Sequence, residues 1–481
     1  MNSSKRNRVA SGFMWRLMER MGAQVVSFVV SIVLARILDP DVYGTIALIV
    51  VFTTIMQVFV DSGLGNALIQ KKHADNLDFS TVFYFNIAFC LVLYGLMWVA
   101  SPSIAEFYHD PSLVPYIRAL SLTIVISGIK NVQQAYVSRN MLFKKFFFST
   151  LCGTIGAAIV GIIMALRSYG IWALIAQQLF NMLVDTAVLW ITVPWRPTLA
   201  FSFQRLGGLL SYGWKLLASS LLDTGYNSLR QLLIGRIYTR ADLAYYNQGD
   251  KFPALIINNI NASIDSVLLP AMSEDQDDKS RVRDMMRRSI MVSTYLMSPL
   301  LIGMAACADT IVRLILTDKW LPCVPYMQIF CLTYLSYPIH TANLNAIKAM
   351  GRSDIFLKLE IIKKGLGLIV LLVFVRVGVM ELALSLLFFS ILSMGINAWP
   401  NKQLLSYSIR DQVFDILTNL TLALVMGAIV WAESALAIPM ALKLALQVIT
   451  GVVVYAALSL VMKNSTFTYL LDILKTSRKK A

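Results

Sequence analysis

Seven apolar stretches of this 481-residue chain carry polar side chains at intervals of three, four or seven residues, the spacing that keeps them on one face of an α-helix. Arg16, Arg20, Gln24, Ser27 and Ser31 share a face in the first stretch, and Thr54, Gln57 and Asp61 in the second. The fourth carries Ser127, Lys130, Asn131, Gln134 and Ser138, and the sixth Gln178, Asn181 and Asp185. Tyr212, Lys215, Ser219, Asp223, Tyr226 and Arg230 mark the seventh, Asn247, Lys251, Asn258, Asn261 and Asp265 the eighth, and Ser336, His340 and Asn343 the tenth. Amides and hydroxyls both donate and accept hydrogen bonds, as recognition of sugar hydroxyls requires. Lys130, Lys215, Arg230 and Lys251 exceed what a neutral sugar needs, whereas a phosphate does need them.

These stripes cannot face lipid, where each central Lys, Arg or Asp costs at least about 2.5 to 3.5 kcal/mol. They must line water or one another. Some of the charges have a plainer use. Asp223 and Arg230 lie two turns apart and can pair, while Arg16, Arg20, Lys363 and Lys364 are placed to reach lipid headgroups. Catalysis has little footing. Asp61, Asp185, Asp223 and Asp265 are dispersed, and the chain contains no GxSxG elbow, no P-loop and no DxD-like pair on a loop. Five cysteines without CxxC spacing and three scattered histidines without HExxH offer no disulfide or metal framework. The expectation is therefore a non-enzyme with no metal and no cofactor.

The elements that carry the stripes are membrane spans. Hydrophobic residues make up 57% of the chain and charged residues 14%, and the apolar residues come in blocks long enough to cross a bilayer. We expect an all-α polytopic membrane protein of about fourteen spans. Their cores lie near 11–38, 42–65, 79–104, 113–138, 145–167, 170–194, 206–237, 241–270, 285–316, 322–350, 355–377, 380–402, 412–433 and 437–462. Spans 1, 7, 8 and 10 are interrupted by polar residues. The net charge of +15 comes from Lys and Arg at block edges, which excludes nucleic acid as the natural partner. Assigning the Lys- and Arg-rich loops to the inside gives an asymmetry of about threefold, with both termini cytoplasmic. MNSSKRNR leads into an uncleaved first helix, and the Met272 to Arg288 segment reads as a solvated connector opening an amphipathic helix.

Short matches recur in order between the two parts of the chain. Gly12 before Trp15 returns as Gly213 before Trp214; LARILDPDVYG from Leu34 returns as IGRIYTRADLAYY from Ile234; VPYIRALSL from Val114 returns as VPYMQIFCL from Val324. This pattern predicts two six-helix lobes, 1–205 and 206–402, both the same way up around a central cavity, with two further spans and a basic tail in 403–481.

LARILDPDVYGTIALIVVF, FVDSGLGNALIQKK, STVFYFN, VPWRPTLAFSF, NSLRQLLIGRIYTRADLAYYNQGDKF and DKWLPCVPYMQIF together resemble the bacterial polysaccharide transporter family. These are Wzx-type flippases of lipid-linked oligosaccharides, within the superfamily of multidrug, oligosaccharidyl-lipid and polysaccharide exporters. The resemblance covers essentially residues 8 to 410. It implies translocation of an undecaprenyl-diphosphate-linked repeat unit, for O-antigen, capsule or exopolysaccharide, across the bacterial inner membrane by alternating access. It also implies contact with membrane lipids and delivery to a polysaccharide polymerase and chain-length regulator. By position, Arg16, Arg20, Lys215 and Arg230 are the candidates for the diphosphate, and Gln24, Lys130, Gln134, Asp223, Lys251 and Asn258 complete the candidate substrate set. Ion coupling would fall to Asp61 or Asp185. A multidrug or cation antiporter of the same fold is the alternative, and the basic stripes argue against its cationic cargo.

Overall fold

Long apolar blocks separated by short polar breaks fold into helices throughout, because in hydrocarbon a helix satisfies all its backbone hydrogen bonds internally. The computed structural model describes residues 3–61 and 63–480, with the side chains of 3–13, 17, 20, 212, 473, 474 and 476–480 outside the described residues. Contacts divide the chain into two compact units, Met1–Ala244 and Tyr245–Ala481.

The first unit contains α1 (Ser3–Ile37), α2 (Pro40–Asp61), α3 (Leu64–Gln70), α4 (Asn76–Phe107), α5 (Leu113–Arg139), α6 (Phe143–Leu166), α7 (Ile171–Thr192) and α8 (Phe203–Ile237). It also includes the first residues of α9 (Arg240–Glu274), which runs on into the second unit. The second unit continues with α10 (Lys279–Ala306), α11 (Ala308–Ile315), α12 (Val324–Tyr334), α13 (Tyr337–Ala349), α14 (Ser353–Phe374), α15 (Val379–Leu404), α16 (Ile409–Ala432), α17 (Met440–Val461) and α18 (Ser465–Lys480). Among the described residues there is no strand.

Eleven helical segments are long and apolar enough to cross a membrane, and they correspond to expected spans 1–6, 8, 9 and 12–14. The count of fourteen is not reached on this measure, for physical reasons that differ among the other three. The seventh, α8, is one 35-residue helix, but its polar stripe lowers its mean hydropathy. The tenth is broken between α12 and α13 at Leu335 and Ser336, just ahead of Pro338, whose ring nitrogen cannot donate to the helical ladder. At the break the Thr333 carbonyl accepts the hydroxyls of Ser336 (3.0 Å) and Ser390 (3.2 Å). The eleventh, α14, carries Lys358, Glu360, Lys363 and Lys364; Lys363, expected to reach the headgroups, pairs with Glu360 at 2.6 Å.

Each unit has its own apolar core. Leu68, Phe79, Val82, Phe83, Val132, Leu189 and Trp195 form one in the first unit. Met272, Met286, Ile290, Ile339, Ala346 and Tyr407 form one in the second. The Met272 to Arg288 connector is helical on both sides of a break at 275–278, and Asp278 caps α10 by accepting from the Ser280 and Arg281 amides.

Candidate functional site

Three of the five stripes that the first unit carries line a pocket of about 410 Å³ inside that unit, a volume typical of small-molecule sites. Arg16 of α1, Gln57 and Asp61 of α2, and Ser127, Lys130, Asn131, Gln134 and Ser138 of α5 line it. From α7, Met182 lines it as well, and Asp185 behind the lining ion-pairs with Lys130 at 3.1 Å. The pairing follows from helix geometry: a 3.6-residue period turns one stripe of each helix toward the same axis, where water can reach it.

Each charged group of the pocket already has a partner. Lys130 Nζ donates to Asp185 Oδ2 at 3.1 Å and lies 3.4 Å from the Met182 sulfur. Both members of the pair are largely buried, with side chains 12% and 14% exposed, and Asp185 Oδ1 has no hydrogen-bond partner among the described residues. Asp61, which is exposed, accepts from Gln57 at 3.0 Å and from Asn131 at 3.4 Å, and the Gln57 amide also donates to the Ser127 hydroxyl. Arg16 donates to Glu19 at 2.7 Å and lies over the Phe146 ring, 4.9 Å from its centre, yet its side chain stays 53% exposed. Glu19 is held in turn by the Thr150 hydroxyl at 3.2 Å. An incoming anion would therefore compete with Glu19 and Asp185 for the two cations, while the amides and hydroxyls remain as neutral partners.

One wall of the pocket is the seven-residue helix α3, which presents Gly65, Asn66 and Ile69. A helix so short is not stable by itself. Arg139 holds it: one terminal guanidinium nitrogen donates to the carbonyls of Leu68 (2.7 Å), Ile69 (3.3 Å) and Lys71 (2.6 Å), and the other to Lys72 (3.2 Å). Gly65 lets α3 approach α5 closely: a Cβ there would come within 2.8 Å of the Asn131 amide oxygen and displace that side chain. We expect Arg139→Ala to cost about 2–3 kcal/mol, the scale of hydrogen bonds to a charged group. The checks are a lower melting temperature in detergent and faster amide exchange confined to 64–72, and Arg139→Lys should recover part of both.

Beyond α3, Asp78 is fully buried and bound by Lys71 (2.7 Å) and Arg205 (3.2 Å), and Arg205 also holds Asp75 at 2.7 Å. Asp75 and Asp78 form a capping box at the start of α4. The Asp78 backbone amide, followed by Arg205, holds the Asp75 carboxyl below the usual carboxylate range.

The pocket thus gathers Arg16, Asp61, Lys130 and Gln134 of the expected site residues, with Asp185 bound to Lys130. Gln24 is half-buried further along α1, and the Arg20 side chain lies outside the described residues. Lys215 and Asp223 are exposed on α8, where Asp223 accepts from Asn227 at 3.3 Å, and Arg230 is half-buried with its Nε lacking a hydrogen-bond partner among the described residues. None of these three lines the pocket. Lys251, half-buried, and Asn258, exposed, belong to α9 within the second unit. Sequence reasoning passed over Gly65, Asn66, Phe146 and Met182. The Gly-Leu-Gly-Asn run from Gly63 was a usable signal for the first two; periodicity marks neither Phe146 nor Met182.

The fold and the sequence both have known counterparts. "Lipopolysaccharide biosynthesis protein WzxC" of Escherichia coli (strain K12) is 25% identical over 75% of this chain and 74% of its own length. "Teichuronic acid biosynthesis protein TuaB" of Bacillus subtilis (strain 168) is 24% identical over 72% of each. The solved structure "Lipid II flippase MurJ, inward closed conformation" superposes with a TM-score of 0.75 over 94% of this chain and 98% of that one, at 14% identity, a likeness of fold. The family model described as "Polysaccharide biosynthesis protein" matches residues 33–325, more than half of the chain. The resemblance read from the sequence is borne out, and this multi-pass, all-helical membrane protein belongs to the polysaccharide biosynthesis protein family.

Proposed function

We propose that the chain is a flippase that moves an undecaprenyl-diphosphate-linked oligosaccharide across the bacterial inner membrane by alternating access. The observation that carries this reading is the composition of the first-unit pocket, in which Arg16 and Lys130 stand among Gln57, Asn131, Gln134, Ser127 and Ser138. Cations serve a diphosphate, and amides and hydroxyls serve sugars. Family membership and the polysaccharide-related names of its relatives support the same cargo class.

In this reading both termini are cytoplasmic, and the two six-helix lobes of the internal repeat rock about the cargo, which passes to a polymerase and a chain-length regulator. The chain itself makes and breaks no covalent bond. Arg20, Gln24, Lys215, Asp223, Arg230, Lys251 and Asn258 extend the cargo path beyond the pocket. Asp185 and Asp61 provide the coupling. In this role Asp185 competes with the diphosphate for Lys130, so that cargo binding and release exchange the partner of that lysine.

Reconstitution into vesicles tests the proposal. A fluorescent lipid-diphosphate sugar should become accessible on the opposite leaflet without formation of glycosidic bonds. Extrusion of a cationic dye with no lipid translocation would instead establish the antiporter alternative, and growth of sugar chains would make the protein a polymerase. Within the same assay, Lys215→Ala and Arg230→Ala should each lower flux with normal membrane insertion. Arg230→Lys should rescue only in part, because ammonium lacks the guanidinium fork. Unchanged flux in both alanine variants would assign the α8 stripe a structural role.

A further inference from the structure

A second, smaller groove of about 390 Å³ lies between α4 and α5, lined by Tyr94, Trp98, Val114, Pro115, Arg118 and Leu122 among others. Its lining side chains are apolar except for the Arg118 guanidinium and the Tyr94 hydroxyl. Arg118 donates from Nε to the Ser101 hydroxyl at 2.9 Å and stacks on Trp98, 4.3 Å from the ring centre. The Ser101 hydroxyl donates to the Trp98 carbonyl at 2.8 Å, which leaves its lone pairs for Arg118. The two terminal nitrogens of Arg118 have no protein partner among the described residues, so the guanidinium is oriented but its fork is unused.

The level of this groove in the bilayer is set by helix length. α4 has 32 residues, about 48 Å of helix against about 30 Å of hydrocarbon, so Trp98, between two and three turns from its end, falls near the headgroup boundary. Trp98 and Trp172 are exposed, and Trp172 packs edge-on against Tyr116 with centroids 5.2 Å apart, beside the same two loops. Aromatic rings of this kind collect at the membrane interface. Leu122 and Val99 are exposed on the flanks, where acyl chains would lie.

The geometry points to a binding site for an anionic glycerophospholipid: the free guanidinium fork of Arg118 takes the phosphodiester oxygens, and one acyl chain runs along Leu122. Charge complementarity selects this occupant. The groove offers one fixed cation and no amide or hydroxyl beyond Ser101 and Tyr94, so it has nothing to read a sugar and no second cation for a diphosphate. The site rests only on the chain spanning a membrane and is independent of the cargo it moves.

Photo-crosslinking of the full-length protein in vesicles tests it, with phosphatidylglycerol or phosphatidylcholine carrying a photoreactive acyl chain and the adducts mapped by peptide. Phosphatidylglycerol should label the segment from Leu113 to Leu122 more than phosphatidylcholine does. Arg118→Gln should lower that labelling about fivefold, the worth of one basic group near a charged leaflet, and Leu122→Trp, which fills the groove and keeps the charge, should lower it comparably. Equal labelling by the two lipids overturns the proposal, as does unchanged labelling in a correctly inserted Leu122→Trp. Displacement of the phosphatidylglycerol probe by equimolar undecaprenyl diphosphate overturns it in favour of the carrier lipid.

Discussion

Lys130→Ala will both stop transport and destabilise the first unit, and the two effects can be separated. Lys130 and Asp185 are a largely buried pair, and Asp185 Oδ1 has no hydrogen-bond partner among the described residues. Removing the lysine leaves a largely buried carboxylate without its ion-pair partner. A fully buried pair broken in this way costs about 3–5 kcal/mol. Here the pocket admits water to the residual exposed surface, so we expect about 1–3 kcal/mol. The double substitution Lys130→Met with Asp185→Leu removes both charges and replaces them with apolar groups of similar volume. It should melt close to the wild type, since an apolar replacement of a buried pair is often neutral or stabilising. Transport should not return, because the diphosphate has lost a charged donor worth about 1.5–3 kcal/mol, roughly 10- to 100-fold in rate if it acts in the rate-limiting step. Thermal melting in detergent and flux in vesicles, measured on the same preparations, decide the matter. A double variant that transports normally would make the pair purely structural.

Arg16→Ala should show the opposite balance, with little change in stability and a large change in flux. The Arg16 side chain is 53% exposed and its pairing with Glu19 spans less than one helical turn. Exposed pairs of this kind contribute about 0–1 kcal/mol, so the melting temperature should hardly move. Flux should fall about tenfold or more, for the loss of a charge-assisted contact to phosphate. Arg16→Lys should recover part of the loss, and Glu19→Gln, which frees the guanidinium from its competitor, should lower the half-saturating concentration of the lipid-diphosphate sugar. Flux against substrate concentration distinguishes the three variants. If Arg16→Ala moves the cargo at the wild-type rate, Arg16 is not part of the path.

The same two cations illustrate how far the amino-acid string could be read. That Arg16, Asp61, Lys130 and Gln134 face a wet interior follows from their spacing on apolar helices, because lipid would charge each of them several kcal/mol. The Arg16–Glu19 pair joins neighbours three residues apart on one helix and can be read from the string too, but that Lys130 is held by Asp185 does not follow, since its partners lie 52 and 55 residues away on another helix. Arg139 looked like one more basic residue at the end of a span. Its four carbonyl contacts exist only because the chain turns back through α3 beside it. The tenth span reads as one span interrupted by polar residues, and nothing in that pattern shows that the interruption is a true break between two helices ahead of Pro338.

Periodicity and hydropathy are local properties, so the sequence alone determined that this is a helical membrane protein, which faces of its helices avoid lipid, and which family it resembles. Ion pairing and pocket shape depend on which faces meet, and that is a matter of packing among helices far apart in the chain. Only the tertiary structure therefore decided that three stripes of the first unit share one pocket, that its lysine is held by an aspartate of a fourth, and that a seven-residue helix clamped by a single arginine forms its wall.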